Sequence, residues 1–415
     1  MKLCILGLGY VGLPTAAILA VNGFHVVGVD INRERLKEIK NLDFEERDLK
    51  TLVSAALKSG HLILKDKPEE ADAYIICVPT PIDEKKRCDL SHVKKAIESI
   101  KPYLKDGDLI IIESTVPPGT TEELYKMLSN GKKILMAYCP ERVLPGNLLE
   151  ELIENDRIIG GINEESANLA KKIYESFVKG KIYVTDAKTA EMVKLMENTY
   201  RDVNIALANE FAKISEELGV NVWEAIALAN NHPRVNILKP GPGVGGHCIP
   251  IDPWFIVEKS REAKLIKVAR EVNDSMPYFV VKKVKDIVEK GKISILGVAY
   301  KGNVDDTRES PAIKIIEELL KLNYSVMCHD PKVKKFKYKL YSLKECVKDS
   351  DLILILSDHE EYKNLPIKEI GELMRNKNIL DTKNIIQREE WEKFGFKTYL
   401  LGDGKNETRR LGEMG

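Results

Sequence analysis

Gly7-Leu8-Gly9-Tyr10-Val11-Gly12 closes a short apolar run, Lys2–Leu6, and opens a helical pattern, Pro14 to Val21. The next apolar run, Val26–Val29, ends in Asp30. Strand, GxGxxG turn, helix, strand and an acid about 20 residues on form the signature of a dinucleotide-binding βαβ unit. The glycines permit a tight turn and the approach of a pyrophosphate to a helix N-terminus, and Asp30 is suited to accept hydrogen bonds from a ribose diol. A glycine turn without a ligand is the bland alternative; the flanking elements and the acid weigh against it.

More βα units follow. Tyr74–Val78 ends at Pro79-Thr80-Pro81, and Leu109–Glu113 at Ser114-Thr115-Val116-Pro117-Pro118-Gly119-Thr120. Both place hydroxyls and rigid turns at strand carboxyl ends, where open α/β sheets bind ligands. Ile134–Tyr138 leads into Cys139-Pro140-Glu141-Arg142-Val143-Leu144-Pro145-Gly146, with a carboxylate and a guanidinium side by side.

From Ala187 to Leu218 the pattern is one long Pro-free helix. Lys194, Asn198 and Arg201 fall at i, i+4 and i+7, with Glu191 at i−3, so one polar face is expected to turn toward a ligand. A helix Val222–Ala229 precedes Asn230-Asn231-His232-Pro233-Arg234, and two further helical patterns, Lys264–Asn273 and Pro277–Glu289, complete a helical block. Between them lies Gly241-Pro242-Gly243-Val244-Gly245-Gly246-His247-Cys248-Ile249-Pro250-Ile251-Asp252. Its glycines let the backbone approach a ligand, and a thiol beside exposed N–H groups is suited to nucleophilic chemistry. In isolation the stretch reads first as a Gly/Pro loop with a buried, inert cysteine, and only the rest of the chain reverses that reading.

The final third repeats the first in outline: Ile293–Val298 with Gly297 near the place of Gly7, a helix from Pro311 to Leu322, then Val326–His329 ending in Asp330. Strands Leu352–Leu356 and Ile379–Leu380 follow. The full glycine fingerprint is missing here, and the turn carries Ala299 to Ser310 with Lys301 and Arg308, side chains that suit phosphates. The expected fold is therefore α/β: two Rossmann-like domains joined by a helical domain with one long central helix. The expected boundaries are 1–185, 186–290 and 291–415.

The 415 residues carry 31% charged side chains that balance to a formal net charge of +0, which leaves no global footprint for nucleic acid or membrane surface. No apolar run is long enough to span a bilayer, and Met1–Gly7 runs straight into the glycine turn, unlike a signal peptide. The seven scattered cysteines form no CxxC pair and no metal spacing, which suits a reducing cytoplasm.

Taken in order, Gly7–Gly12, Ser114–Gly119, Pro140-Glu141-Arg142, Glu191-xx-Lys194-xxx-Asn198, Gly245-Gly246-His247-Cys248-xxx-Asp252 and Lys301 to Pro311 resemble the signatures of the UDP-glucose/GDP-mannose dehydrogenase family. The resemblance covers essentially the whole chain. It implies an N-terminal NAD-binding domain, a helical dimerisation domain and a C-terminal nucleotide-binding domain, in a homodimer or homotetramer formed through the long helix. It also implies a four-electron oxidation of a UDP-sugar with two NAD+, through a cysteine thiohemiacetal and thioester. On that resemblance Cys248 is the nucleophile, Lys194 and Asn198 stabilise the oxyanion, Asp252 and Thr115 hold a water, and Glu141 assists thioester hydrolysis. NAD falls to Gly7, Gly9, Tyr10, Val11, Gly12, Asp30, Arg35, Thr80, Thr115 and Arg308. The UDP-sugar falls to Arg142, Val143, Lys194, Asn198, Arg201, His232, Arg234, Gly245, Tyr300, Lys301 and Lys383, the last replacing the arginine described in relatives.

The stretches Arg142–Gly146 and Asn231–Gly246 resemble the branch that acts on UDP-N-acetyl-D-mannosamine, the expected substrate. Arg142, His232 and Arg234 are expected near C2, and the glycine-rich wall is expected to admit the acetamido group. UDP-N-acetylglucosamine and UDP-glucose are the alternatives. A single-hydride dehydrogenase would not need Cys248, and a silent NAD-sensing protein would not keep Lys194, Cys248 and Asp252 together.

Overall fold

The computed structural model describes residues 1–44, 46–129, 131–143 and 148–405. The chain divides into two compact units: Met1–Glu197 with Trp254–Arg261, and Asn198–Pro253 with Glu262–Gly415.

The first unit is built on an eight-stranded sheet. Its strands are β1 (Lys2–Leu6), β2 (His25–Val29), β3 (Leu62–Lys65), β4 (Ala73–Ile76), β5 (Leu109–Ile112), β6 (Leu135–Tyr138), β7 (Arg157–Gly161) and β8 (Ile182–Asp186). They lie in the order β3-β2-β1-β4-β5-β6-β7-β8. All neighbours are parallel except β6 and β7. Alternation explains the layering. Leu3 and Ile5 face a cluster with Leu13, Ala16 and Ala17 of helix Gly12–Val21, while Cys4 and Leu6 face one with Val93, Ile97 and Ile100. The order reverses between β1 and β4, so the strand ends that flank the glycine turn lie at the topological switch point.

The second unit holds a five-stranded parallel sheet: β9 (Lys292–Leu296), β10 (Ser325–His329), β11 (Leu352–Ile355), β12 (Asn378–Asp381) and β13 (Lys397–Leu400). Their order is β10-β9-β11-β12-β13. It repeats the first sheet down to one hydrogen bond: Gly7 N–H donates to Val29 O and Gly297 N–H to His329 O, both at 2.8 Å. Both glycines sit at φ +91°, a conformation that favours glycine.

Helices Ala187–Leu218 and Val222–Ala229 run as the sequence predicts. The block after the cysteine loop does not. Instead of two helices broken near Pro277, one helix runs from Lys264 to Ile287 with Pro277 inside it. Met276, Val280, Val281 and Val284 are buried on the core of the second sheet. That packing outweighs the lost hydrogen bond and ring clash of an interior proline, worth about 3 kcal/mol. Strands β3, β7, β8 and β13 also escape the sequence reading; β8 is largely exposed. No helix among the described residues is long and apolar enough to cross a membrane.

Candidate active site

The turn after β1 has the shape of a dinucleotide cradle. A Cβ on Gly7 would lie 2.7 Å from Cys77 O, and one on Gly12 would lie 1.9 Å from Gly7 O. Gly7 is thus required by the close approach of the chain after β4, and Gly12 by packing within the turn. Gly9 differs: no atom lies within 4 Å of its Cβ position, so the open side of the turn is there. Val11 at the N-cap of helix Gly12–Val21 supplies no capping side chain, so the positive end of the helix can receive an anion. Asp30 is fixed beside the turn, accepting Leu8 N–H at 2.9 Å and Asn32 N–H at 2.8 Å. Arg35 Nε donates to Leu8 O at 3.0 Å and pairs with Glu38, while Arg33 pairs with Asp66 at 2.9 Å. These residues fit NAD: glycine backbone for the pyrophosphate, an acid for the ribose diol, and both nearby arginines already bonded to acids.

The neighbouring strand ends are tied together. Thr80 Oγ1 donates to Thr115 O at 2.7 Å, and Ser114 Oγ to Val78 O at 2.7 Å. Glu191 corrects the expectation of one polar ligand-facing stripe. It is fully buried and accepts from Gly119 N–H, and from Thr121 N–H and Oγ1 at 2.7 and 2.6 Å, so it braces the Pro-Gly turn.

Lys194, one turn farther along, is buried and donates through Nζ to Glu141 O. Glu141 is itself buried and accepts from Val143 N–H. Burial pushes its carboxyl up to about 7, against the opposing pull of Lys194 and Arg157. Arg142 grips Glu197 with two nitrogens, Nε at 3.2 Å, and donates to Asp156 O at 2.7 Å. Val143 is half-buried; Leu144 to Gly146 of the same stretch lie outside the described residues. Glu113 and Arg157, which no motif singles out, are buried behind these strand ends.

The second unit holds the thiol. Cys248 is exposed, and its carbonyl accepts Ile251 N–H at 3.0 Å and Asp252 N–H at 2.8 Å. The turn so formed fixes the Cys-xxx-Asp spacing. Asp252 is buried and accepts from Asn198 Nδ2 at 2.5 Å, and Asn198 Oδ1 accepts from Arg201. Cysteine, aspartate, asparagine and arginine thus form one hydrogen-bonded series.

The glycines before Cys248 have a nearer cause than ligand approach. A Cβ on Gly245 would meet Glu309 O and Tyr300 Cβ at 2.7 Å, and one on Gly246 would meet Tyr300 Cε2 at 2.9 Å. Gly246 N–H donates to Arg308 O at 2.9 Å. The loop lies flush on Tyr300–Arg308, so packing alone demands glycine there.

Lys301 is exposed. Arg308, expected on the cofactor side, lies in this second unit and forms a forked pair with Asp306 at 2.7–3.1 Å. Lys383 Nζ stands 3.7 Å from Asp358 Oδ1 and 3.7 Å from the Cβ position of Gly241. His232 and Arg234 are exposed, joined by Arg234 N–H to His232 Nδ1 at 3.3 Å. They belong to the second unit and Arg142 to the first.

Asp330, the counterpart of Asp30, shows why this sheet lacks a dinucleotide cradle. It accepts from the N–H groups of Val298, Ala299, Lys332 and Val333 at 2.8–3.1 Å and from His359 Nε2 at 3.1 Å. Burial alone would raise its carboxyl, but His359 and the backbone donors outweigh that and hold it at about 2. Its acceptor positions are used internally, where Asp30 keeps some for a ligand.

Three family models match in succession: the NAD binding domain of the UDP-glucose/GDP-mannose dehydrogenase family over residues 1–178, its central domain over 188–275 and its UDP binding domain over 294–388. The chain belongs to this family. It is 66% identical over 415 residues to the UDP-N-acetyl-D-mannosamine dehydrogenase of Methanocaldococcus jannaschii, covering 98% of this chain and 97% of that one. It is 45% identical to an NDP-N-acetyl-D-galactosaminuronic acid dehydrogenase of Ralstonia nicotianae, over 92% and 95% of the two chains. A solved structure of the UDP-D-ManNAc dehydrogenase of Pyrococcus horikoshii superposes with a TM-score of 0.92 at 44% identity, covering 97% of this chain and all of that one.

Proposed function

We propose that this dehydrogenase oxidises UDP-N-acetyl-D-mannosamine to UDP-N-acetyl-D-mannosaminuronate, a four-electron reaction that uses two NAD+ and one water. The observation that carries the four-electron reading is the Cys248–Asp252–Asn198 arrangement, since a thiol held in a bonded turn has no use in a simple alcohol dehydrogenase. NAD+ bound at Gly7–Gly12, Asp30, Thr80 and Thr115 supplies the hydride acceptor for each oxidation.

The residues of the chain do the rest. Lys194 and Asn198 stabilise negative charge on the reacting oxygen. The Cys248 thiolate adds to the aldehyde carbon to give a thiohemiacetal, and loss of hydride from that carbon leaves a thioester. Water adds to the thioester, the carbon–sulfur bond breaks, and the thiolate returns. Glu141, its carboxyl raised to about 7, suits the general base that takes the proton of that water. Asp252 and Thr115 orient water and carry protons in the oxidative half. Tyr300, Lys301 and Lys383 serve the UDP moiety, together with Arg201 and Gly245. Arg142, Val143, His232 and Arg234 serve the sugar. The three functional regions follow the boundaries 1–185, 186–290 and 291–415.

The choice of sugar rests on the loops around Arg142 and His232 and on the relatives. The relative at 66% identity carries the mannosamine name, and so does a structure at 44%, whereas the galactosaminuronic relative stands at 45%. Counting NADH against acid over a panel of UDP-sugars tests the proposal. Two NADH per acid are expected, without free aldehyde, and UDP-N-acetylmannosamine should give the highest kcat/KM. Polar groups that the bound sugar desolvates and that a hydroxyl at C2 leaves unpaired should penalise UDP-glucose by about 1–3 kcal/mol per group. Replacing NAD by NADP in the same assay should lower kcat/KM about tenfold or more, equivalent to about 1.4 kcal/mol. One NADH per sugar, a better UDP-glucose or UDP-N-acetylglucosamine, or equal use of both cofactors would each refute the corresponding part.

The long helix also points to self-association. Within the second unit Tyr200, Leu207, Phe211, Ile214 and Leu218 are exposed and fall on one stripe at helical spacing. A second copy of the chain is proposed to cover it, as a dimer or a tetramer. Light scattering should give a multiple of the 46.8 kDa chain mass, and Phe211→Glu with Ile214→Glu should reduce it to the monomer. A monomeric parent protein at micromolar concentration would rule this out.

A further inference from the structure

We propose that Glu113 is a positioning residue: with Arg157 it locks the carboxyl ends of β4, β5 and β6 to the helix behind the cofactor turn, and so sets the place and the electrostatic surroundings of Glu141. The inference rests on the proposed reading of Glu141 as the hydrolytic base.

Glu113 directly follows β5 and its side chain is wholly buried. Its Oε1 accepts from Arg157 NH1 at 3.1 Å and Tyr174 OH at 3.2 Å, and its Oε2 from Cys77 Sγ at 3.0 Å and Thr15 Oγ1 at 3.4 Å. One carboxylate therefore gathers donors from the start of β7, the end of helix Glu164–Tyr174, the residue after β4 and helix Gly12–Val21. Its four acceptor directions are all used, which fixes its orientation. The β6 end joins through Cys139, which is fully buried and whose N–H donates to Ile112 O at 2.9 Å. Arg157 is held in turn, its guanidinium 4.7 Å from the Tyr174 ring centre and 5.8 Å from that of Phe177.

This cluster stands directly behind the proposed machinery. Thr115 lies two residues past Glu113, Thr80 three past Cys77, and Glu141 two past Cys139. The charged groups that act on Glu141 are Lys194 from the long helix, Arg157 from β7, Glu113 after β5 and Glu151 from helix Leu148–Glu154. Arg157 favours the Glu141 carboxylate and Glu113 opposes it, with the arginine the stronger of the two. A buried ion pair brings little net stability over apolar packing, so its value here is orientation and charge.

The test follows acid release after the second NADH has formed, by rapid quench across the pH range around neutrality. In the parent enzyme the rate should fall as pH drops through the Glu141 titration. Glu113→Gln removes a negative charge and should move this limb down, and Arg157→Gln removes a positive charge and should move it up, each by about one pH unit. A merely structural role gives both variants, which break the same ion pair, the same unshifted limb. Should one variant fail to fold, judged by its melting transition, the shift in the other decides. Glu141→Gln separates the two claims. If it hydrolyses the thioester at the parent rate, the reading of Glu141 falls and the inference with it. If it loses the limb while the folded Glu113 and Arg157 variants keep the parent limb, the inference alone is wrong.

Discussion

Cys248→Ala should abolish acid formation while leaving a folded protein that binds both ligands. The loss is expected to be on the order of 10⁴-fold or more in kcat, the scale seen when a covalent nucleophile is removed from an intact site. Without the thiol the first oxidation has no covalent successor, so a burst of about one NADH per site should replace steady turnover. Stability should change little, because the side chain is exposed and surface substitutions mostly stay within about 0.5 kcal/mol. Rapid-mixing NADH traces, acid quantified after quench, and thermal melts measure the three claims. Substantial acid with two NADH per sugar in this variant would mean that the hydrated aldehyde is oxidised directly, and the thioester route would be excluded.

The parts of this molecule legible in the sequence are those encoded locally. Gly7, Gly12 and Asp30 announce a dinucleotide turn because close backbone approach demands glycine at fixed spacing. Helix Ala187–Leu218 is legible because no proline interrupts it. The Cys248-xxx-Asp252 spacing follows a motif, whereas the bond from Asn198 to Asp252, 54 residues away in sequence, appears only in the fold. What stayed hidden depends on partners distant in the chain. Glu191 reads as one more polar residue on a stripe, yet it braces a turn 70 residues away in sequence. Gly245 and Gly246 read as room for a ligand, yet Tyr300 and Glu309 O occupy the space. Asp330 repeats Asp30 in sequence but meets His359, which closes it. Pro277 reads as a boundary, and only the packing of Met276 and Val280 shows that the helix continues. Glu113 reads as the last residue of an apolar strand ahead of Ser114–Gly119, Arg157 lies in no motif, and only the fold makes them neighbours.

Arg270→Met should be the most destabilising of the substitutions considered, by about 3–5 kcal/mol, the cost of leaving a buried charge without its partner. Arg270 is 1% exposed and bonds Asp202, itself fully buried, and Asp274. Asn273 Nδ2 adds a bond to Asp202 Oδ1 at 2.8 Å, and Asn209 Nδ2 donates to Asn273 Oδ1 at 2.9 Å. Asn209 Oδ1 in turn accepts Gly241 N–H at 2.9 Å, where the cysteine loop begins. The ion pair therefore joins helices Ala187–Leu218 and Lys264–Ile287 beneath the loop that carries Cys248. Burial already raises the Asp202 carboxyl despite the opposing pull of Arg270. Removing Arg270 raises it further above its unfolded value. A carboxyl so raised favours folding below its unfolded pKa and loses that contribution as pH rises through the folded one. The deficit of Arg270→Met should thus be largest near neutral pH and shrink as the medium is acidified and Asp202 takes up a proton. Asp202→Asn combined with Arg270→Met should recover part of the loss, because no charge is then buried alone. Urea unfolding at two pH values gives both quantities. A deficit below about 1 kcal/mol, within the ordinary range for point substitutions, would show that the pair does not hold the helices together. A deficit that grows on acidification would show that Asp202 is not the buried charge responsible.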